Sequence, residues 1–274
     1  MNESGNFIVR RTRNPLFSLS VTLRLIVLNV VLFFIGFILL GVYGLDFLNK
    51  NIALVPNLIL SGQSLWTPLT SMFMHASFFH LFANMFSLFF VGSFLERLIG
   101  GKRFFWVYII SGLIGSVFFV VSGLIFSNSN IPGVGASGAI FGILGVLAVV
   151  VPRSKISLII GPLVLLIVDA VFSGFVPATF LPTFHMIINV LILLSIFAIF
   201  SFNSSFRKLA LPVSLQMWSL PIIAIVPLVV IDFFVDLPIG NSAHIGGLVV
   251  GLVYGFYLKR KYPRKAVAIS KYFS

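Results

Sequence analysis

Residues 137–151 read SGAIFGILGVLAVVV and carry no charged side chain. A membrane-spanning helix needs about 20 mostly apolar residues at 1.5 Å rise each, and apolar stretches of this kind recur along the chain. Hydrophobic residues make up 59% of the 274 residues and charged residues 9%, whereas about a quarter of an ordinary soluble domain is charged. The runs are continuous and not alternating, which disfavours a barrel. The predicted fold class is therefore all-α, a polytopic transmembrane helical bundle.

Eight apolar runs are candidate spans. They lie between breaks that are charged or rich in Pro, Gly and Asn, and their bounds are Val21–Tyr43, Phe78–Leu98, Arg103–Phe126, Ser137–Val151, Ile156–Phe175, Phe184–Phe202, Ser214–Val235 and Ala243–Leu258. With eight spans, Lys50 is the only one of the 18 Lys and Arg residues in a loop on the other side of the membrane from the termini. Because cytoplasmic loops carry an excess of Lys and Arg, we expect cytoplasmic tails over residues 1–20 and 261–274.

Charge and cysteine content exclude several classes of site. The 18 basic residues against 6 acidic ones would suggest nucleic acid in a soluble protein, but here the basic residues follow the predicted topology, so no nucleic-acid partner is expected. The chain has no cysteine, which excludes disulfides, thiolate metal sites and a cysteine nucleophile. No metal or other cofactor is predicted. The first span shows no usual cleavage site, so we expect a retained helix and a prokaryotic plasma membrane.

The fourth span is a candidate carrier of a nucleophile. At 15 residues it is about 22 Å long, shorter than the roughly 30 Å hydrocarbon core, so its outer end must lie below the membrane surface. Gly133-Val-Gly135-Ala-Ser137-Gly138 places the hydroxyl of Ser137 at that end, beside backbone N–H groups that can bind an oxyanion. The alternative is a simple helix cap, a position that Ser favours. The spacing also differs from the Gly-x-Ser-x-Gly elbow of soluble hydrolases.

His244 is the candidate base. It is the second residue of the eighth span, which runs in the same direction as the fourth, so His244 and Ser137 are predicted to lie at similar depth. Gly247 and Gly251 follow on the His244 face and Gly138 lies on the facing helix; small residues at this spacing let helix backbones approach closely in lipid. A structural histidine is the alternative, but ionisable residues at membrane depth are functional candidates. Beside Ser137, the imidazole could act as general base and then general acid.

His80 and Asn84 are four residues apart and so share one face of the second span. Both side chains can donate hydrogen bonds to a developing oxyanion, although interhelical hydrogen bonding is the alternative. No third member of a triad is evident. We interpret His75, Asp169 and His185 as structural.

Five motifs follow one another along the chain. They are Trp66-Thr-Pro-Leu-Thr-Ser-Met-Phe-Met-His75, His80-x-x-x-Asn84, Gly92-x-x-x-Glu96-Arg97, Gly135-Ala-Ser137-Gly138 and Ala243-His244-x-x-Gly247-x-x-x-Gly251. In this order they resemble the motifs of the rhomboid protease family over about Leu65–Val151 and Asp232–Leu258.

The resemblance implies a Ser137–His244 dyad. It further implies an oxyanion site made by the Ser137 backbone N–H with the His80 and Asn84 side chains. Phe141 matches the aromatic residue that stacks on the catalytic histidine, and Gly135, Gly138, Gly247 and Gly251 are the packing positions around the site. Glu96 and Arg97 match a structural charge network at the inner end of the second helix.

The resemblance also implies a protease domain over residues 21–260 with a six-helix core. Two helices are then additional, and we expect residues 155–202 to be an inserted hairpin, with Ser214–Val235 as the family's fifth helix. The predicted activity is that of an intramembrane serine endopeptidase. Its active site is expected to open to the extracytoplasmic side. Its partners would be transmembrane protein substrates and the lipid bilayer. The sequence predicts neither the physiological substrate nor the oligomeric state.

Two other functions compete with the protease. A rhomboid-like pseudoenzyme could bind or escort membrane proteins, but such a protein is expected to have lost the dyad, and Ser137 and His244 are both present. A transporter would have a site near the bilayer midplane between inverted repeats. The polar groups here gather near the outer leaflet instead, which disfavours transport.

Overall fold

The computed structural model describes residues 19–198, 206, 208–234 and 240–272. Most of the predicted N-terminal tail, residues 199–202 of the predicted hairpin and residues 273–274 lie outside the described residues. The chain divides into two compact units. We call Met1–Pro152 with Pro238–Tyr272 the core unit, and Arg153–Leu237 the inserted unit.

The core unit consists of helices, and two of them, α1 and α4, begin at a serine whose side chain caps the helix. Ser20 accepts a hydrogen bond from the Leu23 N–H at 3.2 Å, and Ser77 accepts one from the His80 N–H at 3.1 Å, so each serine caps the helix that follows it. The helices are α1 (Val21–Asn51), α2 (Pro56–Leu60), α3 (Thr67–Thr70), α4 (Phe78–Ser87), α5 (Ser93–Ile99), α6 (Gly101–Ile125), α7 (Ser137–Val150), α11 (Asn241–Lys261) and α12 (Pro263–Tyr272).

The long apolar helices agree with the predicted spans. Four are long and apolar enough to cross a membrane among the described residues: Val21–Asn51, Phe78–Ile99, Gly101–Ile125 and Leu181–Ala198. A π-helical turn over Leu88–Gly92 joins α4 to α5. In α1 the backbone leaves the helical region at Gly44, with φ 79°, next to the predicted end of the first span at Tyr43. The prediction of an all-α, multi-pass membrane protein is confirmed.

The inserted unit contains the only strands among the described residues, and here two predicted span boundaries are wrong. Strands β1 (Lys155–Ile159) and β2 (Pro212–Gln216) pair antiparallel, Lys155 opposite Gln216. The spans predicted to begin at Ile156 and Ser214 therefore begin as strands. Their helices follow as α8 (Gly161–Phe172) and α10 (Leu220–Phe234), with α9 (Leu181–Ala198) between them.

The start of helix α8 directly after strand β1 has a local cause. Proline suits the first turn of a helix because its missing N–H has no partner there, and Pro162 lies in the first turn of α8. Pro212 begins β2, a position in which proline is tolerated on an edge strand.

Within this unit, the Nδ1 atom of His185 on α9 lies 2.7 Å from the Oδ1 atom of Asp169 on α8. The predicted hairpin over residues 155–202 falls inside this larger unit.

Helix α7 is the centre of the core unit. Twelve of its 14 residues are buried, so it has almost no face left for lipid. It packs against α6 and α11. A methyl group on Gly247 or Gly251 of α11 would overlap the carbonyl oxygens of Gly138 and Gly142 on α7. The two backbones are therefore in direct contact, as small residues permit in membranes.

Glu96 closes the opposite end of the core unit. Its carboxylate accepts hydrogen bonds from the backbone N–H groups of Val21 and Thr22, at 2.8 and 2.9 Å, and from the Thr22 hydroxyl at 2.6 Å. A carboxylate in this position satisfies N–H groups that the first turn of a helix leaves unpaired, and it opposes the positive end of the helix dipole. Arg97 donates to the Ser93 carbonyl at 3.2 Å. Glu96, which was expected to belong to a charge network, therefore caps the N-terminus of α1.

Candidate active site

Ser137 is the first residue of α7. The capping position is occupied by Ala136, with φ −77° and ψ −4°, so the interpretation of Ser137 as the helix cap is not supported. The first N–H groups of a helix have no partner within it, and together with the helix dipole they favour an anion. Ser137 is half-buried and its neighbour Ala136 is fully buried. The hydroxyl therefore lies beside donors suited to an oxyanion.

His244 contacts Ser137 directly. Its Nε2 atom lies 2.8 Å from the Ser137 Oγ atom, although the two residues are 107 positions apart in the chain. The imidazole is 6% exposed and stacks on the Phe141 ring, with centroids 4.5 Å apart and planes inclined by 18°. Phe141 is one turn after Ser137 on α7, so this helix supplies both the hydroxyl and the surface that orients the imidazole.

The second ring nitrogen of His244 has no partner in the described part of the chain. Its Nδ1 atom is buried and makes no hydrogen bond with any described residue. For Nε2 to accept the serine proton, the imidazole proton must be on Nδ1. The structure thus brings together a serine and a histidine, and within the described chain no acidic group orients the imidazole from behind.

His80 lies against the turn that precedes Ser137. If Gly135 carried a Cβ atom, it would lie 2.9 Å from both Cε1 and Nε2 of His80. Gly135 also has φ 132°, a conformation that strains other residues. The His80 Nδ1 atom faces the Ala76 N–H at 3.5 Å, a long contact. This arrangement favours the tautomer with the proton on Nε2, which directs a donor toward the Gly135–Ser137 turn.

Asn84 lies one turn beyond His80 and is 5% exposed. Its side-chain nitrogen donates to the His80 carbonyl at 2.9 Å, so one N–H is engaged within α4 and the other is available. No hydrogen bond joins Asn84 to Ser137 among the described residues, and its role at the oxyanion stays a prediction.

His75, 1% exposed, packs edge-on against His80 with ring centroids 5.1 Å apart. That contact holds the His80 ring in place, as expected of a structural residue.

Backbone contacts hold the loop before Ser137. The Leu54 N–H donates to the Gly133 carbonyl at 2.9 Å, and the Gly133 N–H donates to the Leu54 carbonyl at 2.8 Å. The Gly135 N–H donates to the Ser71 carbonyl at 2.8 Å. The segment between α1 and α4 therefore fixes the position of Ser137. Sequence reasoning missed Leu54 and Ser71, because main-chain groups leave no side-chain signature.

Comparison with known proteins gives a consistent set of relatives. Residues 62–187 and 191–261 match the sequence model of the family described as the Rhomboid domain. The chain is 36% identical over 126 residues to Rhomboid protease GluP of Bacillus subtilis, covering 46% of this chain and 24% of that one. It is 34% identical over 117 residues to Rhomboid protein 1, mitochondrial, of Saccharomyces cerevisiae, covering 42% and 33%.

One relative carries a different description. The chain is 38% identical over 84 residues to Inactive RHOMBOID-like protein 8 of Arabidopsis thaliana, covering 31% of this chain and 22% of that one. The matched regions thus span between 22% and 33% of the length of these three relatives. Similar chains therefore include one named as a protease and one named as inactive.

Proposed function

This chain belongs to the rhomboid family, and on that premise we propose that it is an intramembrane serine endopeptidase. The observation that carries the proposal is the 2.8 Å contact between Ser137 Oγ and His244 Nε2 at the N-terminus of a buried helix. A serine hydroxyl is a weak nucleophile unless an adjacent base accepts its proton. Here the base is held in place by Phe141.

In the proposed reaction, the Ser137 oxygen attacks the carbonyl carbon of the scissile peptide bond while His244 Nε2 takes the serine proton. The carbonyl oxygen becomes an oxyanion, which accepts hydrogen bonds from the Ser137 N–H and from His80 and Asn84. Collapse of this intermediate breaks the C–N bond, and His244 returns the proton to the leaving amine. Water activated by His244 then hydrolyses the acyl-enzyme and regenerates Ser137.

Membrane proteins are the proposed substrates. Helix α7 has 14 residues and is about 21 Å long, shorter than the roughly 30 Å hydrocarbon core, which supports a site recessed below the membrane surface. A peptide bond must reach Ser137 in extended form, and opening a helix in hydrocarbon exposes backbone groups at several kcal/mol each. Helices with weak ends should therefore be preferred. By the distribution of Lys and Arg, we place the site on the extracytoplasmic side of a prokaryotic plasma membrane.

A second candidate is a rhomboid-like protein that binds membrane proteins without cleaving them. The similarity to a relative described as inactive supports considering it. It predicts that Ser137 has no reactivity, whereas the protease predicts an activated hydroxyl. The two functions therefore differ in whether the Ser137 Oγ atom is reactive.

The decisive experiment combines labelling with cleavage. Wild type, Ser137→Ala and Ser129→Ala would be reconstituted with a single-span substrate and separately treated with a fluorophosphonate probe that reacts with activated serines. Ser129 lies in the loop before Ser137 and serves as the matched control. The protease proposal expects labelling and cleavage in wild type and Ser129→Ala, and neither in Ser137→Ala. Wild type that neither labels nor cleaves would favour the binding protein.

A further inference from the structure

A cleft of about 390 Å³ opens between the first turns of α1 and α6. It lies at the opposite end of α6 from the loop that leads to Ser137. Leu25, Leu28 and Phe105 provide apolar walls, and the side chains of Arg24 and Lys102 line the same cleft. An apolar groove that also carries two cations suits a ligand with an anionic head and a hydrocarbon chain.

In the part of the chain that the structure describes, the two cations have no acidic partner that is free to neutralise them. Among the described residues, neither Arg24 nor Lys102 forms a side-chain hydrogen bond or an ion pair. Glu96 is close, since its Oε1 atom lies 3.3 Å from where a Cβ of Gly101 would be. Its carboxylate, however, accepts three hydrogen bonds from Val21 and Thr22. Two cations that line one cleft favour an anionic ligand, and basic pockets between spanning helices bind lipid headgroups.

The N-terminal segment of the chain is a poor occupant on grounds of charge. Residues 1–18 contain Arg10, Arg11 and Arg13 but only one acidic residue, Glu3. This segment would add positive charge to a cleft that already holds two cations. A membrane lipid, by contrast, supplies both a negative headgroup and an acyl chain at this depth, and basic pockets between spanning helices bind such headgroups.

We propose that this cleft binds one anionic phospholipid, with its phosphate between Arg24 and Lys102. The guanidinium can donate two parallel hydrogen bonds to phosphate oxygens, and the ammonium adds a point charge. One acyl chain then lies along the wall formed by Leu25, Leu28 and Phe105. The lipid would hold the first turn of α1 against α6, next to the Glu96 cap. A ligand that binds only the folded protein raises its stability.

Lipid retention tests this proposal independently of proteolysis. The full chain would be purified with phosphatidylglycerol or with phosphatidylcholine of the same acyl chains, and retained lipids would be counted by native mass spectrometry. Wild type is expected to keep one phosphatidylglycerol in preference to phosphatidylcholine. Each cleft cation that contacts the phosphate should contribute about fivefold, so Arg24→Gln with Lys102→Gln should weaken retention roughly 25-fold.

The matched control is Lys259→Gln with Arg260→Gln. It removes one lysine and one arginine, both exposed, from the end of α11 that meets the start of α6 through Arg103 and Tyr262. This control should retain phosphatidylglycerol as wild type does. Circular dichroism in phosphatidylcholine would establish that both double variants are folded, as expected for exposed side chains.

Three results would overturn the proposal. Wild type could retain both lipids equally, or the control could lose phosphatidylglycerol as strongly as the cleft variant, which would indicate general surface attraction. Inorganic phosphate added in excess could displace the lipid, which would assign the cleft to a free anion. We expect phosphate not to displace it, because the acyl chain contributes apolar contact that phosphate lacks. In a thermal unfolding series, phosphatidylglycerol should raise the midpoint of wild type and of the control only.

Discussion

The core unit and the inserted unit are built by different kinds of contact. In the core unit, α7 and α11 meet backbone to backbone, with no room for a methyl group on Gly247 or Gly251. In the inserted unit, a two-stranded sheet and the Asp169–His185 pair are prominent; Gly161 lies close to the Ala210 backbone, whereas Gly174 has open space around it. Since lipid tails do not drive helices together, close backbone packing is what holds spanning helices in one geometry.

The comparison suggests where precise geometry is required. The 2.8 Å contact between Ser137 and His244 joins helices from the two chain segments that make up the core unit. Hydrogen-bonded catalytic groups depend on positions defined to a fraction of an ångström. We therefore expect substitutions in the core unit to have large effects, and matched substitutions in the inserted unit to have small ones.

The largest effect should come from the dyad. Ser137→Ala and His244→Ala are each expected to lower the cleavage rate by at least about 10⁴-fold, and the double variant should be little worse than either, because residues that act as a unit lose activity non-additively. Rates would be measured in proteoliposomes at saturating substrate. Independent, multiplicative losses would contradict the dyad.

The second-largest effect on cleavage is expected from Asn84. Asn84→Ala is expected to lower turnover by about 10- to 10³-fold with a smaller change in apparent substrate affinity, because an oxyanion donor acts mainly in the transition state. Asn189→Ala on α9, an exposed position in the inserted unit, is the control and should leave turnover unchanged. If only substrate affinity changed in Asn84→Ala, the residue would belong to binding or packing.

A pair of glycine variants compares the two units directly. Gly247→Ala would force a methyl group against the Gly138 carbonyl, and overpacking of this kind costs about 1–3 kcal/mol. Gly174→Ala meets no atom within 4 Å and should leave stability unchanged or slightly raised. The measurement is unfolding in mild detergent, followed by circular dichroism. Equal losses in both variants would remove the distinction between the units.

Substrate helix strength should have a moderate effect. A Gly or Pro placed just inside the extracytoplasmic end of a single-span substrate weakens the helix by about 1–3 kcal/mol, so cleavage should accelerate several-fold. Moving the helix breaker stepwise through the span, with product masses determined at each step, locates the cut. Cuts in the cytoplasmic half, or rates indifferent to the position of the breaker, would contradict a recessed site at Ser137.

The smallest effect is expected in the inserted unit. Asp169→Asn removes the carboxylate that contacts the His185 imidazole; the two side chains are 30% and 41% exposed. Polar contacts between spanning helices contribute about 0.6 kcal/mol on average, so the unfolding midpoint should fall slightly and the cleavage rate should stay within about twofold of wild type. A large loss of cleavage with normal folding would show that this unit takes part in catalysis.

The sequence by itself determined the class of fold and most of the candidate site. Apolar runs of spanning length set the helices of the core unit, because hydrocarbon leaves a spanning backbone few ways to satisfy its hydrogen bonds. The short fourth run placed Ser137 at a helix N-terminus, and glycine spacing on the eighth indicated a close partner for it. Those patterns are local, so they can be read without coordinates.

Tertiary structure decided what depends on contacts between distant segments. It showed that Ala136, and not Ser137, takes the capping position, and that Ser71 and Leu54 hold the loop before Ser137 through main-chain atoms. It turned Ile156–Ile159 into a strand, because a partner more than fifty residues later pairs with it. Main-chain hydrogen bonds between remote segments carry no side-chain pattern, and an apolar run that can be helix or strand is resolved only by the neighbour it meets.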